Sequence, residues 1–339
     1  MALLTEPTQV GKREDFADVI AMVDYKDTPF SSMVPKGTEP ANTLYDWQMD
    51  AYAPVALGGI VDGVDVATTD YVNPASRRAK AHGRIQKFRQ AFMVSDFAQN
   101  VSDVAGIGRR GEMQRAVKMV IVQIKRNMEG TFCSDQDSQA DNGTLPYLTR
   151  GLGAWVNAGE VAITDTATQC PAAFVTPAGS VITKTTATTL ETDINNLQQS
   201  VYAQTGQQKD FDLICGTALK VLFSGFATYV PSAVSTVPLR RFNQDATAKQ
   251  IINTVDFWQG DFGSCKLILS LFLAAGGIAN VINGRGYMID WDQLELRYNR
   301  MPGYQENPNL GGGPRGYIDA IAGLVVYNPL GLGKIAPTA

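Results

Sequence analysis

Residues 11–50, GKREDFADVIAMVDYKDTPFSSMVPKGTEPANTLYDWQMD, restrict what this chain can fold into more than any other stretch. A Lys-Arg-acid run opens a short amphipathic helix, with Phe16, Val19, Ile20 and Val23 at i, i+3, i+4 and i+7 on one face. Thr28-Pro29-Phe30 stops it, and Pro29 and Pro35 keep the following chain extended. A polar strand then runs to Trp47-Gln48. Nothing in this order serves catalysis or cofactor binding. It has the pattern of an arm and a reaching strand built to touch other subunits. Phe16, Phe30 and Met33 are too apolar for a frayed end unless something covers them.

Residues 41–98 read as a long hairpin. Asn42–Ala53 supplies one strand, with Leu44, Tyr45 and Trp47, and Ile85–Val94 the return strand, with Phe88, Phe92 and Val94. The loop of roughly thirty residues between them, carrying Gly58, Gly59, Gly63 and Pro74, is too long to be idle in a compact domain. It folds over a site or reaches a neighbour. Asp50, Asp62, Asp65 and Asp70 precede Arg77, Arg78, Lys80, Arg84, Lys87 and Arg89. One reading is a solvated strand face. A second is a basic patch that docks on an acidic neighbour, because opposed potentials fix register between subunits. A third is nucleic-acid binding, which would want more interleaved aromatics for base stacking.

The clearest helix covers residues 111–130, where Met113, Val117, Val120, Ile124 and Met128 recur at helical spacing, with Arg115, Lys118, Lys125 and Glu129 mostly off the stripe and Gly130 as its stop. Such a helix is about 30 Å long. Residues 131–185 are mixed, with turns at Ser134–Thr144; Val161–Thr189 reads as strands and surface loops. A second helix is predicted over Thr189–Ala203 from Leu190, Ile194, Leu197 and Val201. Phe211–Cys215 is a buried strand, Thr217–Phe226 a helix and Lys266–Phe272 a further strand, together an α/β unit of roughly 100 residues. The chain closes on strands at Gln293–Tyr298 and Gly316–Asn328, joined by a polar Gly/Pro-rich connection, Asn299–Arg315. No internal repeat is visible.

At 339 residues, 45% of them hydrophobic, the chain can bury a sizeable core and divides into roughly two domains. Its longest apolar patch, Leu267–Ala275, falls well short of the ~20 residues of a membrane span, and MALLTEPTQ lacks the pattern of a secretory signal. A net charge of −4 argues against tight binding of nucleic acid over a broad surface, but does not exclude a shell that merely encloses it. Cys133, Cys170, Cys215 and Cys265 have no metal-ligand spacing, and Cys215 and Cys265 read as buried core thiols; no disulfide is expected.

Candidate chemistry is sparse. Residues 106–111, GIGRRG, spell the dinucleotide fingerprint, but no clean buried strand precedes them, and the acid about twenty residues on, Glu129, lies on the same helix. Asp261-Phe262-Gly263 spells a kinase metal tripeptide without its partners. The single histidine, His82, reads as a solvated loop position, and no Ser elbow or P-loop exists. No catalytic, cofactor-binding or metal-binding residue is predicted.

GKREDFADVI, DTPFSSM and NTLYDWQMD, then the long helix, FDLICGTALKVLFS and the closing LELRYNRMPGYQENPNLGGGPRGYIDAIAGLVVYNPLGLGKI, resemble in order the major capsid proteins of tailed bacteriophages with the Hong Kong 97 type fold. The resemblance covers more than 300 residues. It implies an α+β chain in four parts: an N-terminal arm (1–40), an extended loop (41–98), a peripheral domain with a long spine helix (99–185 and 286–339) and an axial α/β domain (186–285). It also implies assembly in place of catalysis: pentamers and hexamers of an icosahedral head enclosing double-stranded DNA, formed in the host cytoplasm and ending in the virion. Implied partners are further copies, a portal protein, and scaffolding and decoration proteins, with weak or non-specific contact to DNA, no cofactor and no membrane. Since the chain begins at Met1 with its arm, scaffolding is expected as a separate protein. No lysine–asparagine crosslink is expected, as nothing marks Lys80 or Lys87 as reactive. Phe16, Phe30, Trp47, Arg77, Arg78, Lys80, Arg84, Lys87 and Arg89 are the expected subunit contacts, and Gly106, Gly108 and Gly130 the expected hinges. Two other readings are an encapsulin-like compartment enclosing a cargo enzyme, and a nucleotide-dependent enzyme built on Gly106–Gly111.

Overall fold

The computed structural model describes residues 27–53, 55, 57–73, 77–101, 107–159, 163–185, 188–226, 228–229, 239–240, 255–273 and 285–335. The expected helix around Phe16–Val23 and the hinge position Gly106 lie outside them. In chain order the elements are α1 (Pro29–Met33), β1 (Leu44–Met49), β2 (Ala79–Arg84), β3 (Gln86–Met93), α2 (Asp96–Asn100), α3 (Glu112–Phe132), α4 (Leu152–Trp155) and β4 (Val181–Ile182). There follow α5 (Glu191–Thr205), β5 (Lys209–Cys215), α6 (Thr217–Phe226), β6 (Thr228–Tyr229) and β7 (Leu239–Arg240). The last are β8 (Phe257–Gly260), β9 (Gly263–Leu269), β10 (Gly286–Ile289), β11 (Leu294–Asn307), β12 (Arg315–Val326) and β13 (Gly333–Ile335). Contacts divide the chain into two compact units; the first takes in Arg89–Ile124 and Pro302–Asp319, the second Asp27–Phe88, Lys125–Met301 and Ala320–Ala339.

The second unit is built on a six-stranded mixed sheet in the order β4-β13-β10-β5-β9-β8. β5 is buried at Phe211, Leu213, Ile214 and Cys215 because it lies inside the sheet, parallel to β9 and antiparallel to β10. Ile194, Leu197 and Val201 of α5, with Leu219 and Phe223 of α6 and Trp258 of β8, close one core cluster with that strand. α5 starts where the Asp193 carboxylate accepts the Leu190 N–H at 2.9 Å. It ends where Gly206 turns left-handed, φ 66°, and returns its N–H to the Tyr202 carbonyl. Leu190, expected on the apolar stripe, is instead the exposed residue ahead of the helix. The Asp261-Phe262-Gly263 tripeptide is the tight turn joining β8 to β9, with Gly263 at φ 145°. This sheet draws β4, β10 and β13 from outside residues 186–285. All four cysteines are buried and unbridged.

The long helix follows its stripe: Val120, Ile124, Met128 and Phe132 are buried at steps of four. One expectation fails here. Gly130 does not stop α3, which continues to Phe132 because that ring still has a buried partner in Phe88, 6.1 Å away. Glu129, read as off the apolar stripe, is fully buried.

The hairpin also differs from its expectation. β1 pairs with β2 and not with the 85–94 stretch, in antiparallel register from Leu44↔Arg84 to Met49↔Ala79. β3 leaves the hairpin and joins β12 and β11 in a separate sheet of order β11-β12-β3. β11 runs on to Asn307 through what was expected as a polar connection. His82 therefore sits on β2, half-buried opposite Asp46, and not in a loop.

Candidate subunit interface

The root of the hairpin is closely packed. Tyr45, Trp47 and Met49 alternate inward along β1 and are all buried. Tyr45 stacks on Trp47 at 6.0 Å, and Trp47 meets Trp155 at 5.6 Å. The Tyr45 hydroxyl donates to the Leu324 carbonyl at 2.8 Å, and Arg297 lies 5.5 Å over the Tyr45 ring. Arg84, at the end of β2, pairs with Asp165 and sits over Tyr147. Burial alone would raise the Asp165 carboxyl, but the Arg84 guanidinium and the Ala167 N–H together hold it below the ordinary value.

Beyond Met49 the environment reverses. Tyr52 and Leu57 are 98% and 96% exposed, and Val55, Ile60, Val61, Val64, Val66, Tyr71 and Val72 are all open to solvent. Such a concentration of uncovered apolar side chains on one loop marks an interaction surface. Asp62, Asp65 and Asp70 punctuate it, and no Lys or Arg falls between Tyr52 and Arg77. Asp70 is used locally, accepting the Ala67 N–H at 2.9 Å.

The basic residues expected to face a neighbour are largely spent within the chain. Arg78 pairs with Asp50 at 2.9 Å across the hairpin, and Lys80 with Asp46. The Lys80 ammonium holds the Asp46 carboxyl below its ordinary value. Arg77 donates to the Tyr52 carbonyl at 3.2 Å. On β3, Lys87 is an exposed residue, and Arg89 covers the Tyr317 ring at 4.8 Å with Asp319 at 3.7 Å. Phe30 and Trp47, also expected on the contact surface, are buried in the second unit's own core. The hairpin thus brings together Trp47, Arg77, Arg78, Lys80 and Arg84, and separates them from Phe30, Lys87 and Arg89. Phe16 lies outside the described residues. Of the expected hinges, Gly108 adopts φ 73° in the turn before α3, and Gly130 is buried inside that helix.

The exposed apolar loop residues were not singled out from sequence. Their signal was available: apolar residues among glycines and aspartates, with neither helical nor strand period, have no face to hide. The GIGRRG stretch leads into α3, and the nearest described element before it is the short helix α2. Among the described residues no group of His, Cys, Asp and Glu could hold a metal ion, and no helix is long and apolar enough to cross a membrane.

A mixed α+β chain with a projecting, apolar-tipped hairpin, a long helix and an elongated terminal strand pair has the Hong Kong 97 type shell-protein fold. The solved capsids agree across the full chain. Gordonia phage Cozz aligns at TM-score 0.56 and 13% identity, covering 99% of this chain and 98% of that one. The capsid of the empty GTA particle aligns at 0.58 and 10% over 97% and 96%, and the capsid of cyanophage P-SCSP1u at 0.56 and 12% over 99% and 97%. At such identities the likeness is one of fold. The family model of the SU10 major capsid protein matches residues 4–339, and the chain belongs to that family of phage major capsid proteins. A stretch of 143 residues is 32% identical to the major capsid protein of Escherichia phage Phieco32, and spans 42% of this chain but 38% of that relative's length.

Proposed function

We propose that this chain self-assembles into pentamers and hexamers of an icosahedral phage head that encloses double-stranded DNA, with no catalytic role. The observation that carries the reading is the hairpin: a root fixed by Tyr45, Trp47 and Trp155 carries a loop whose apolar residues are almost wholly uncovered. A closely packed stem with an unsatisfied apolar tip is what a heterologous, ring-closing contact requires. Each loop overlies a neighbouring subunit's peripheral domain, and many weak contacts of this kind add up to a strong shell.

The four-part division into arm (1–40), extended loop (41–98), peripheral domain (99–185 and 286–339) and axial domain (186–285) belongs to this reading. So do hinges at Gly106, Gly108 and Gly130, assembly in the host cytoplasm, and portal, scaffolding and decoration proteins as partners. Arg77, Arg78 and Lys80 contribute to the contact as members of hairpin ion pairs and backbone bonds, and Phe30 and Trp47 by bracing the elements behind it. The net charge of −4 supports weak, non-specific contact with packaged DNA. Electron microscopy of the purified chain, with a sizing column beside it, tests the reading. Closed shells, tubes or stable hexamers are expected. A monodisperse monomer or dimer that persists when a scaffolding protein is co-expressed overturns it.

A further inference from the structure

A strap of chain from Asp27 to Gly37 lies on the second unit and is held at two points. At its far end Gly37 N–H donates to the Leu296 carbonyl, and Leu296 N–H to the Pro35 carbonyl, both at 2.9 Å. At its near end two amides of α1 converge on one carboxylate. Phe30 N–H donates to Oε1 of Glu129 and Ser31 N–H to Oε2, both at 2.7 Å. α1 has no cap of its own, since Thr28 makes no side-chain bond there. The free amides of a helix's first turn need an acceptor, and here α3 supplies it from 99 residues away. Phe30 seals the contact, fully buried with its ring 6.1 Å from Trp291.

Glu129 is itself fully buried. Desolvation dominates its ionisation and raises its pKa, and the bonds from Phe30 and Ser31 offset this only in part. Among the described residues no cation contributes to its environment. The titratable groups that face it are Tyr298 on β11 and Cys133 just beyond α3, both kept neutral by burial.

We propose that Glu129 is a releasable fastening: while covered it holds the Asp27–Gly37 strap on the long helix, and its ionisation favours lifting of the strap as a unit. With the strap down, the carboxyl holds its proton more tightly than it would with the strap lifted and the carboxyl in water. Docking is therefore strongest below the ordinary glutamate pKa and weakens as pH rises through the raised value. Neutralisation loosens the strap; acid tightens it. The strap leads directly into β1 through residues 38–43, so its release frees the chain on which the hairpin is hung.

Hydrogen exchange of peptides spanning 27–37 in the full-length chain, corrected for intrinsic rates, tests this between about pH 5 and pH 8. Wild-type protection is expected to fall by at least about threefold across that range, and Glu129→Gln to abolish the dependence. A flat wild-type profile, or the same slope in Glu129→Gln, overturns the proposal. Trypsin cleavage after Lys36, normalised to cleavage at the exposed Arg109-Arg110 turn, keeps it falsifiable should the variant not fold. A parallel rise in cleavage supports lifting as a unit, and loss of exchange protection without it overturns that.

Discussion

Asp135 is one carboxylate facing two cations. Its two oxygens accept from Lys334 at 2.8 Å and Arg285 at 2.6 Å, and both cations are almost completely buried. Lys334 also donates to the Gly153 carbonyl at 2.7 Å, and Tyr287 donates to the Cys133 carbonyl at 2.9 Å. The node therefore ties the chain beyond α3 to β10, β13 and α4. The two buried cations share this carboxylate, and burial lowers the Lys334 pKa despite its partner. The two residues should respond unequally to substitution. Asp135→Ala removes the carboxylate that both buried cations share and is expected to cost about 3 kcal/mol of unfolding free energy in a urea titration. Lys334→Met removes one of the two buried charges with its desolvation cost and keeps the aliphatic volume, so its cost should be under about half of that. Equal losses in the two variants would mean that packing and not charge governs the site.

At the scale of elements, the hairpin works because its root is heavier than its shaft. Trp47 is wedged between Tyr45 and Trp155, and Trp47→Ala removes both ring contacts at once. The expected cost is about 3–5 kcal/mol, measured by denaturation, together with new protease sensitivity at residues 44–49 as β1 loosens. The same aromatics explain what sequence reading missed. Tyr45 lies opposite Gly83, and Trp47 opposite Ala81. A Cβ on Gly83 would come within 2.7 Å of the Tyr45 ring. Bulk on one strand demands smallness on the other, so AKAHGR carries almost no hydrophobic signal, and the richer 85–94 stretch reads as the partner. Where bulk and period coincide, the pattern was legible: Ile194, Leu197 and Val201 revealed α5, and FDLIC followed by Thr217–Phe226 revealed β5 and α6. The long helix was equally plain in Val120, Ile124 and Met128. Of the candidate interface, a hairpin starting from β1 was legible, but not its true return strand, Ala79–Arg84, nor the cross-strand ion pairs of Lys80 and Arg78 with Asp46 and Asp50. Glu129 was hidden for a related reason. An acid one step off an apolar stripe looks solvated until a segment 99 residues away is found to need its oxygens.

For the molecule as a whole, stability and assembly draw on separate residues. The cores lie in the sheets and under the long helix, whereas the loop beyond Met49 contributes little to either, its apolar side chains standing in solvent. Surface changes away from packed features usually shift stability by no more than about 0.5 kcal/mol. The same changes at the centre of a repeated contact are multiplied by every copy in a closed shell. Leu57 and Ile60, 96% and 86% exposed, are the sharpest test. The loop already bears Asp62, Asp65 and Asp70, so further acids there stay soluble in the free chain but cannot be buried against a neighbour without a large desolvation cost. The double variant Leu57→Asp, Ile60→Asp is expected to melt within a degree or two of the parent, since a change that small moves the midpoint little in a chain of this size. On a sizing column and by electron microscopy it should remain as free subunits or open rings under conditions where the parent closes into shells. Parental shells from the variant would move the assembly contact off this loop, whereas a variant that unfolds would mean that the loop packs on its own chain after all.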